Sequence, residues 1–302
     1  MERIKQALEK ARLERQKSGG VYTPLPGSGG AATFDSVTYT HTRTMGVTKS
    51  ILRERRVIAG LEQNAFTEAY KILRTQVLQR LREKNWNSLA ITSPGLNEGK
   101  TLTAINLAIS LAMEINYTVL LVDADLRHPN VHSYFGIDVE YGLSDYLTAD
   151  KPLSELLVHP DDIPGFVILP GGKPLANSAE MLNSPKMAKL VEELKSRYPS
   201  RIILFDLPPL LSAADTLAFS PYVDAALVVI EDGKTQAEDV KRAIELLQGT
   251  NVIGTVLNKF GVNIRGDEEA KTKGWTARLQ DRALVFRVML TNWVNRLRKK
   301  KY

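Results

Sequence analysis

Three aspartates and one lysine stand where apolar segments end. Asp123 and Asp125 follow the run "TVLLV", and Asp206 follows "RIILF". A buried carboxylate without a partner is unfavourable, so an aspartate at the end of an apolar strand is expected to face a ligand or a metal. Lys100 and Thr101 close the stretch "SPGLNEGKT", between the apolar run "SLAIT" and the amphipathic stretch "TLTAINLAISLA". A strand-to-helix turn of this kind presents the first helical amides and the helix dipole to an anion. Lys100 can reach β and γ phosphates, and the Thr101 hydroxyl can coordinate Mg²⁺. Asp125 and Asp206 can add oxygen ligands, directly or through water. The implied chemistry is binding of ATP with Mg²⁺, with Gly95, Leu96, Asn97, Glu98, Gly99, Lys100, Thr101 and Leu102 lining the phosphate loop. Against the pattern G-x-x-x-x-G-K-[ST], the opening position is Pro94, with Gly95 one residue later. Asn97 replaces a glycine common in such loops. Asparagine tolerates the left-handed backbone region, so Asn97 is expected to take the glycine's place.

The elements that position these groups are legible as alternating apolar runs and amphipathic stretches. "SLAITS", "TVLLVD", "FVILP", "RIILFD", "AALVVIE" and "VIGTVLN" read as strands. "TLTAINLAISLAMEI", "MAKLVEELKSRY" and "TQAEDVKRAIELLQ" read as helices between them. Strands apolar on both faces and separated by helices imply an α/β fold with a mainly parallel sheet covered on both sides. Ligands of such sheets bind at the carboxyl ends of the strands, so the loop and the acidic strand ends should converge on one edge. Upstream, "FTEAYKILRTQVLQRLREK" reads as a helix with Phe66, Tyr70, Leu73, Val77 and Leu78 on one face.

Residues 1–17 read as a short, charged helix, and residues 18–60, rich in Gly, Ser, Thr and Pro up to about Ser50, as a flexible linker. Residues 61–262 then form the nucleotide-binding domain and 263–302 a basic tail. In 302 residues there is no cysteine, which excludes disulfides, thiolate metal sites and cysteine nucleophiles. The start of the chain has no apolar core of the signal-peptide kind, and no apolar run reaches about 18 residues. A cytoplasmic protein is the expectation. The net charge of +6 favours acidic partners.

"SPGLNEGKT", "VLLVDADLRHP" and "IILFDLPPLLSAAD" resemble, in order, the Walker A, Walker A′ and Walker B motifs of the bacterial tyrosine kinases of capsule and exopolysaccharide loci. The resemblance spans roughly residues 61–262 and includes "NSAEMLNSPKMAKLVEEL", "EDGKT" and "GTVLNK"; "RIKQALEKA" resembles the start of the exosortase-linked branch. It implies a P-loop NTPase fold of the MinD/ParA-like kind and transfer of the γ-phosphoryl of MgATP to tyrosine. On this resemblance Lys100 binds phosphate, Asp123 is the base toward a tyrosine hydroxyl, and Asp125 helps hold Mg²⁺. Asp206 is the Walker B aspartate, Arg127 belongs to the A′ motif, and Asn258 matches an adenine contact. "EAYKILR" resembles an oligomerisation motif, placing Glu68, Lys71 and Arg74 on one helical edge toward a neighbouring subunit, with Lys71 where arginine is usual. A membrane polysaccharide co-polymerase, of the chain-length-regulator type, is the implied activating partner.

The family's C-terminal tyrosine cluster has no counterpart here: the sequence closes on "VNRLRKKKY", with the single Tyr302. Tyr22 and Tyr39 are the other tyrosines outside the expected core, so these three are the candidate phosphosites. Leu279, Ala283, Phe286, Leu290, Trp293 and Leu297 recur at helical steps among arginines and lysines. Residues 276–302 therefore read as a basic amphipathic helix suited to an anionic membrane surface, placing the protein peripherally at the inner face of the plasma membrane. Nucleic acid is not an expected partner, since no recognised module accompanies the basic tail. A second reading stays open: a MinD/ParA-like ATPase switch that binds membrane or partner without phosphorylating tyrosine. Such switches usually carry an extra lysine early in the loop, where this chain has Pro94 and Gly95.

Overall fold

The computed structural model describes residues 42–60, 64–197, 200–259 and 288–289. Their strands form one sheet in the order β1-β4-β5-β3-β6-β2-β7-β8-β9. In chain order these are β1 (Arg43–Met45), β2 (Ser88–Thr92), β3 (Thr118–Asp123), β4 (Val158–Pro160), β5 (Phe166–Leu169), β6 (Arg201–Asp206), β7 (Ala225–Glu231), β8 (Asn251–Asn258) and β9 (Val288–Met289). Every pairing is parallel except β4 with β5 and β8 with β9. The six strands anticipated from apolar runs are all present and fill the sheet between β4 and β9.

Alternation along the strands divides the core in two. Leu89, Ile91, Val119, Leu121, Ile202, Leu204, Leu227 and Val229 face helices Ala65–Lys84 and Lys100–Ala112. Ala90, Leu120, Val122, Ile203, Phe205, Ala226 and Val228 face Pro185–Arg197, Asp215–Phe219 and Ala237–Leu246 on the other side. The central strands are thus buried on both faces, as their continuous apolar runs require.

Helix Ala65–Lys84 buries Tyr70, Leu73, Val77, Leu78 and Leu81. Asn64 caps it by accepting the Thr67 amide, and Asn85 ends it in the left-handed region. Phe66, expected on the buried face, is 44% exposed instead, because the buried stripe runs from Thr67 through Tyr70.

The expected linker does not extend to residue 60. Strand β1 pairs with β4, helix Lys49–Glu54 follows, and Leu52, Val57 and Ala59 join the core. Their anchor is Asn106, whose Oδ1 accepts from the Ile58 and Ala59 amides at 2.8 and 3.0 Å and whose Nδ2 donates to the Arg56 carbonyl. Three-residue β1 and β4 carry no apolar run long enough to read as strands. In the tail, Val288 and Met289 pair antiparallel with Val256 and Thr255 rather than forming helix. The rest of residues 276–302, the helix expected over 1–17, Tyr22, Tyr39 and Tyr302 lie outside the described residues. Among the described residues no helix is long and apolar enough to cross a membrane.

Candidate functional site: a phosphate loop facing three aspartates

Strand register brings the acidic residues together. β3 and β6 are adjacent and parallel, and Asp123 and Asp206 are partners in their register. On the other side of β6, Ile91 of β2 pairs with Asp206, so the chain leaves β2 for the phosphate loop beside the Walker B aspartate. The loop is pinned there by the amides of Leu210 and Leu211, which donate to the Ser93 and Pro94 carbonyls at 2.8 and 3.1 Å.

Asn97 sits at φ +60°, so it occupies the left-handed position expected of it, and Gly99 follows at φ +90°. Glycine is required at 99 for a second reason. A Cβ there would stand 2.0 Å from Asn258 Nδ2, which donates to the Glu98 carbonyl at 2.8 Å. The helix Lys100–Ala112 starts immediately after, and its first intrahelical bond runs from Thr103 N–H to Gly99 O. The amides ahead of that bond have no intrahelical acceptor and point from the helix end, where an anion can take them. Leu102, by contrast, packs its side chain on the core, and Leu96 is 59% exposed.

Lys100 Nζ lies 2.8 Å from Asp125 Oδ2 and 3.8 Å from Asp206 Oδ1. Thr101 Oγ1 donates to Asp206 Oδ2 at 2.7 Å. Burial alone would lower the Lys100 pKa, but the carboxylates of Asp206 and Asp125 outweigh it and raise it. Burial pushes Asp206 up to about 6, against the pull of Lys100 and Thr101. Asp123 is fully buried, and its Oδ2 accepts from the Asn130 and Val131 amides at 2.8 and 2.9 Å. Burial first, then the charge of Asp206, pushes it up to about 8.

Two buried oxygens, Asp123 Oδ1 and Asp206 Oδ1, have no hydrogen-bond partner among the described residues. Hard carboxylate oxygens beside a threonine hydroxyl, a lysine and a helix N-terminus fit Mg²⁺ carried on phosphates. Among the described residues no group of three or more His, Cys, Asp or Glu could hold a metal by itself.

Arg127 does not join the aspartate cluster. Its Nε donates at 2.9 Å to Asp215, which is fully buried and also accepts from the Ser178 hydroxyl. Asp215 and Ser178 lie within the motif stretches but carry no signal of their own, because Asp215 meets Arg127 from 88 residues away and Ser178 meets Asp215 from 37 residues away. The edge of Glu68, Lys71 and Arg74 also differs from expectation. Lys71 pairs with Glu68 at 2.6 Å, while Arg74 turns inward to the Ser110 carbonyl at 3.0 Å and Glu114 at 2.8 Å. Helix packing aims Arg74 at the end of helix Lys100–Ala112, so it does not project with the other two.

A doubly covered parallel sheet with a phosphate loop after one strand and aspartates ending two neighbours defines a P-loop nucleotide-binding protein. In agreement, the model of the CobQ/CobB/MinD/ParA nucleotide binding domain matches residues 89–289. Within that class, the chain belongs to the bacterial tyrosine-protein kinase family. It is 34% identical to tyrosine-protein kinase YwqD of Bacillus subtilis (strain 168) over 208 residues, 68% of this chain and 86% of that one. The solved kinase domain of the Escherichia coli tyrosine kinase ETK matches with a TM-score of 0.62 at 28% identity, over 72% of this chain and 88% of that chain. The septum site-determining protein MinD of Pyrococcus horikoshii OT3, solved with Mg-ADP, matches with a TM-score of 0.50 at 26% identity, over 61% of this chain and 75% of that chain. The chain spans only 26% of the length of several other curated relatives.

Proposed function

We propose that this chain binds MgATP and transfers its γ-phosphoryl group to a tyrosine hydroxyl. The observation that carries the reading is the register pairing of Asp123 with Asp206 beside the Lys100–Asp125 ion pair. Bound MgATP supplies the transferable phosphoryl group. The loop amides and Lys100 hold the phosphates, and Thr101, Asp125 and Asp206 are the oxygen ligands for Mg²⁺. Asp123 accepts the phenol proton as the tyrosine oxygen bonds to phosphorus and the bond to the β-phosphate oxygen breaks. In its ionised form, which prevails above the folded pKa of about 8, a carboxylate raised toward the phenol's pKa near 10 is a stronger base than an ordinary one. Arg127, held by Asp215, fixes the loop that follows Asp125. Asn258 is the proposed contact to the adenine. Phosphoryl transfer asks chiefly for such positioning and charge neutralisation.

Tyr302, Tyr22 and Tyr39 are the proposed acceptors within the chain. A membrane polysaccharide co-polymerase is the proposed activator, and regulation of exopolysaccharide or capsule assembly the proposed role. Self-association through the Glu68–Lys71 edge and docking of residues 276–302 on anionic lipid complete the reading, with a peripheral position at the inner face of the membrane. The test is incubation with γ-labelled ATP and Mg²⁺, with phosphotyrosine mapping of the wild type, Lys100→Met and Asp123→Asn. Label on tyrosine that both substitutions abolish is the expected result. ATP hydrolysis without phosphotyrosine, alone and with the membrane partner, would replace the kinase by a nucleotide switch.

A further inference from the structure

The phosphate loop lacks the opening glycine of its pattern and carries Asn97 in place of another, yet it is held by a dense set of contacts from the ends of β7, the neighbour of β2, and of β8. Glu98 is 4% exposed, and each carboxylate oxygen has a donor. Oε2 accepts from the Gly95 amide at 2.8 Å, closing the loop on itself. Oε1 accepts from the Thr235 hydroxyl, 137 residues away in the loop after β7. Thr235 Oγ1 in turn accepts from the Glu231 amide at 2.8 Å, which aims its hydrogen at Glu98. A second tie lies beside the first. Lys259, at the end of β8, donates to the Asn97 carbonyl at 2.6 Å and to Glu231 Oε2 at 3.0 Å. Lys234 meets the same Glu231 oxygen at 3.2 Å. Asn97, which stands in for a glycine, and its neighbour Glu98 are therefore the two residues that the ends of β7 and β8 hold.

We infer that Glu98, Thr235 and Lys259 form a clasp that preforms the phosphate loop, with Thr235 and Lys259 acting as positioning residues for nucleotide binding. In loops richer in glycine, the backbone is free to settle around a phosphate. Here the shape is set beforehand by a buried carboxylate whose two acceptors are both used, and the ordering cost is met in folding rather than on binding. The inference rests on residues 95–101 being the nucleotide's phosphate loop. Thr235 and Lys259 touch the loop's framework rather than its interior, so they act through Glu98 and Asn97.

The test uses the full chain and two readouts. The first is equilibrium binding of a fluorescent ATP analogue with Mg²⁺ to the wild type, Thr235→Val, Thr235→Ser and Lys259→Met. Thr235→Val keeps the side-chain shape but leaves Glu98 Oε1 buried without a donor. It is expected to weaken binding roughly tenfold, with Thr235→Ser restoring it. Lys259→Met is expected to weaken binding by a smaller factor, and in turnover both should raise the KM for ATP more than they lower kcat. The second is amide hydrogen exchange of residues 95–101 without nucleotide, which should quicken in Thr235→Val and not in Thr235→Ser. Unchanged affinity and unchanged exchange in Thr235→Val would overturn the clasp. So would a lowered melting temperature with both readouts unchanged, which marks a purely structural contact. The exchange arm needs no nucleotide, and bound ATP without phosphotyrosine would sink the kinase reading while leaving the clasp intact.

Discussion

Lys100 and Asp125 form an ion pair of 2.8 Å across the mouth of the phosphate loop, 25 residues apart in the chain. Asp206 stands 3.8 Å from the same ammonium, so one cation neutralises two nearly buried carboxylates. Removing one member of a buried pair leaves the other uncompensated. Lys100→Met should therefore abolish nucleotide binding and also lower stability by roughly 2–3 kcal/mol. Adding Asp206→Asn should recover part of that loss. Denaturant melts of the two single variants and the double variant measure it, and strict additivity would contradict shared neutralisation.

Asp123 trades stability for chemistry. Its folded pKa of about 8 lies above the ordinary 3.8, so between those values the folded state holds a proton that the unfolded chain has released. The resulting stabilisation is complete below about pH 4 and is lost as pH rises toward 8. Asp123→Asn has no ionisation to oppose. Its stability relative to wild type should rise from pH 5 to pH 8, reaching about 1–3 kcal/mol, while phosphoryl transfer is lost. Thermal melts across that pH range give the slope.

Asp224 shows the opposite sign. Burial alone would raise its pKa, but donation from Lys195, Ser88 and the Asn87 amide lowers it. Asp224 accepts from the Asn87 and Ser88 amides at 3.1 and 3.0 Å, fastening the start of β2 to the turn before β7. A depressed pKa stabilises above the unfolded value near 3.9 and loses that contribution as pH falls through the folded one. Asp224→Asn should lower stability by roughly 1 kcal/mol at pH 7, discounted for partial exposure, and match wild type more closely below pH 4.

Asn106 ties residues 56–59 to helix Lys100–Ala112, with a further bond from its Nδ2 to the Leu102 carbonyl. Asn106→Ala leaves two amides in or near the core without an acceptor and should cost about 2–4 kcal/mol. Limited proteolysis should then cut within residues 49–60 faster than it does in the wild type.

Asn97 offers a test of the altered loop itself. Asn97→Gly fits φ +60° without strain and should hold nucleotide affinity within about twofold, whereas Asn97→Val should lose it through a β-branched side chain in the left-handed region. Binding of an ATP analogue distinguishes them.

The six long strands, the two-sided core and the convergence of Lys100, Thr101, Asp123, Asp125 and Asp206 on one sheet edge are legible in the sequence. Each of these follows from local pattern: apolar runs of strand length, and charged residues placed at their ends. Phe66 lies beside the buried stripe that starts at Thr67, a one-residue offset that helical periodicity does not resolve. The linker expectation over residues 42–60 failed because short β1 and helix Lys49–Glu54 gain their stability from Asn106 and the core rather than from periodicity of their own.

The pairings between distant residues come from the fold alone. Arg127 turns to Asp215, Arg74 to Glu114, Glu98 to Thr235 and Asn97 to Lys259. Sequence separation carries no trace of these partners, because they are fixed by strand order and by which side of the sheet each loop leaves. The phosphate loop shows both halves of the lesson. Its strand, helix and Lys100 were legible as a motif, while the contacts that hold its unusual centre in shape come from the ends of β7 and β8, which only folding brings beside it.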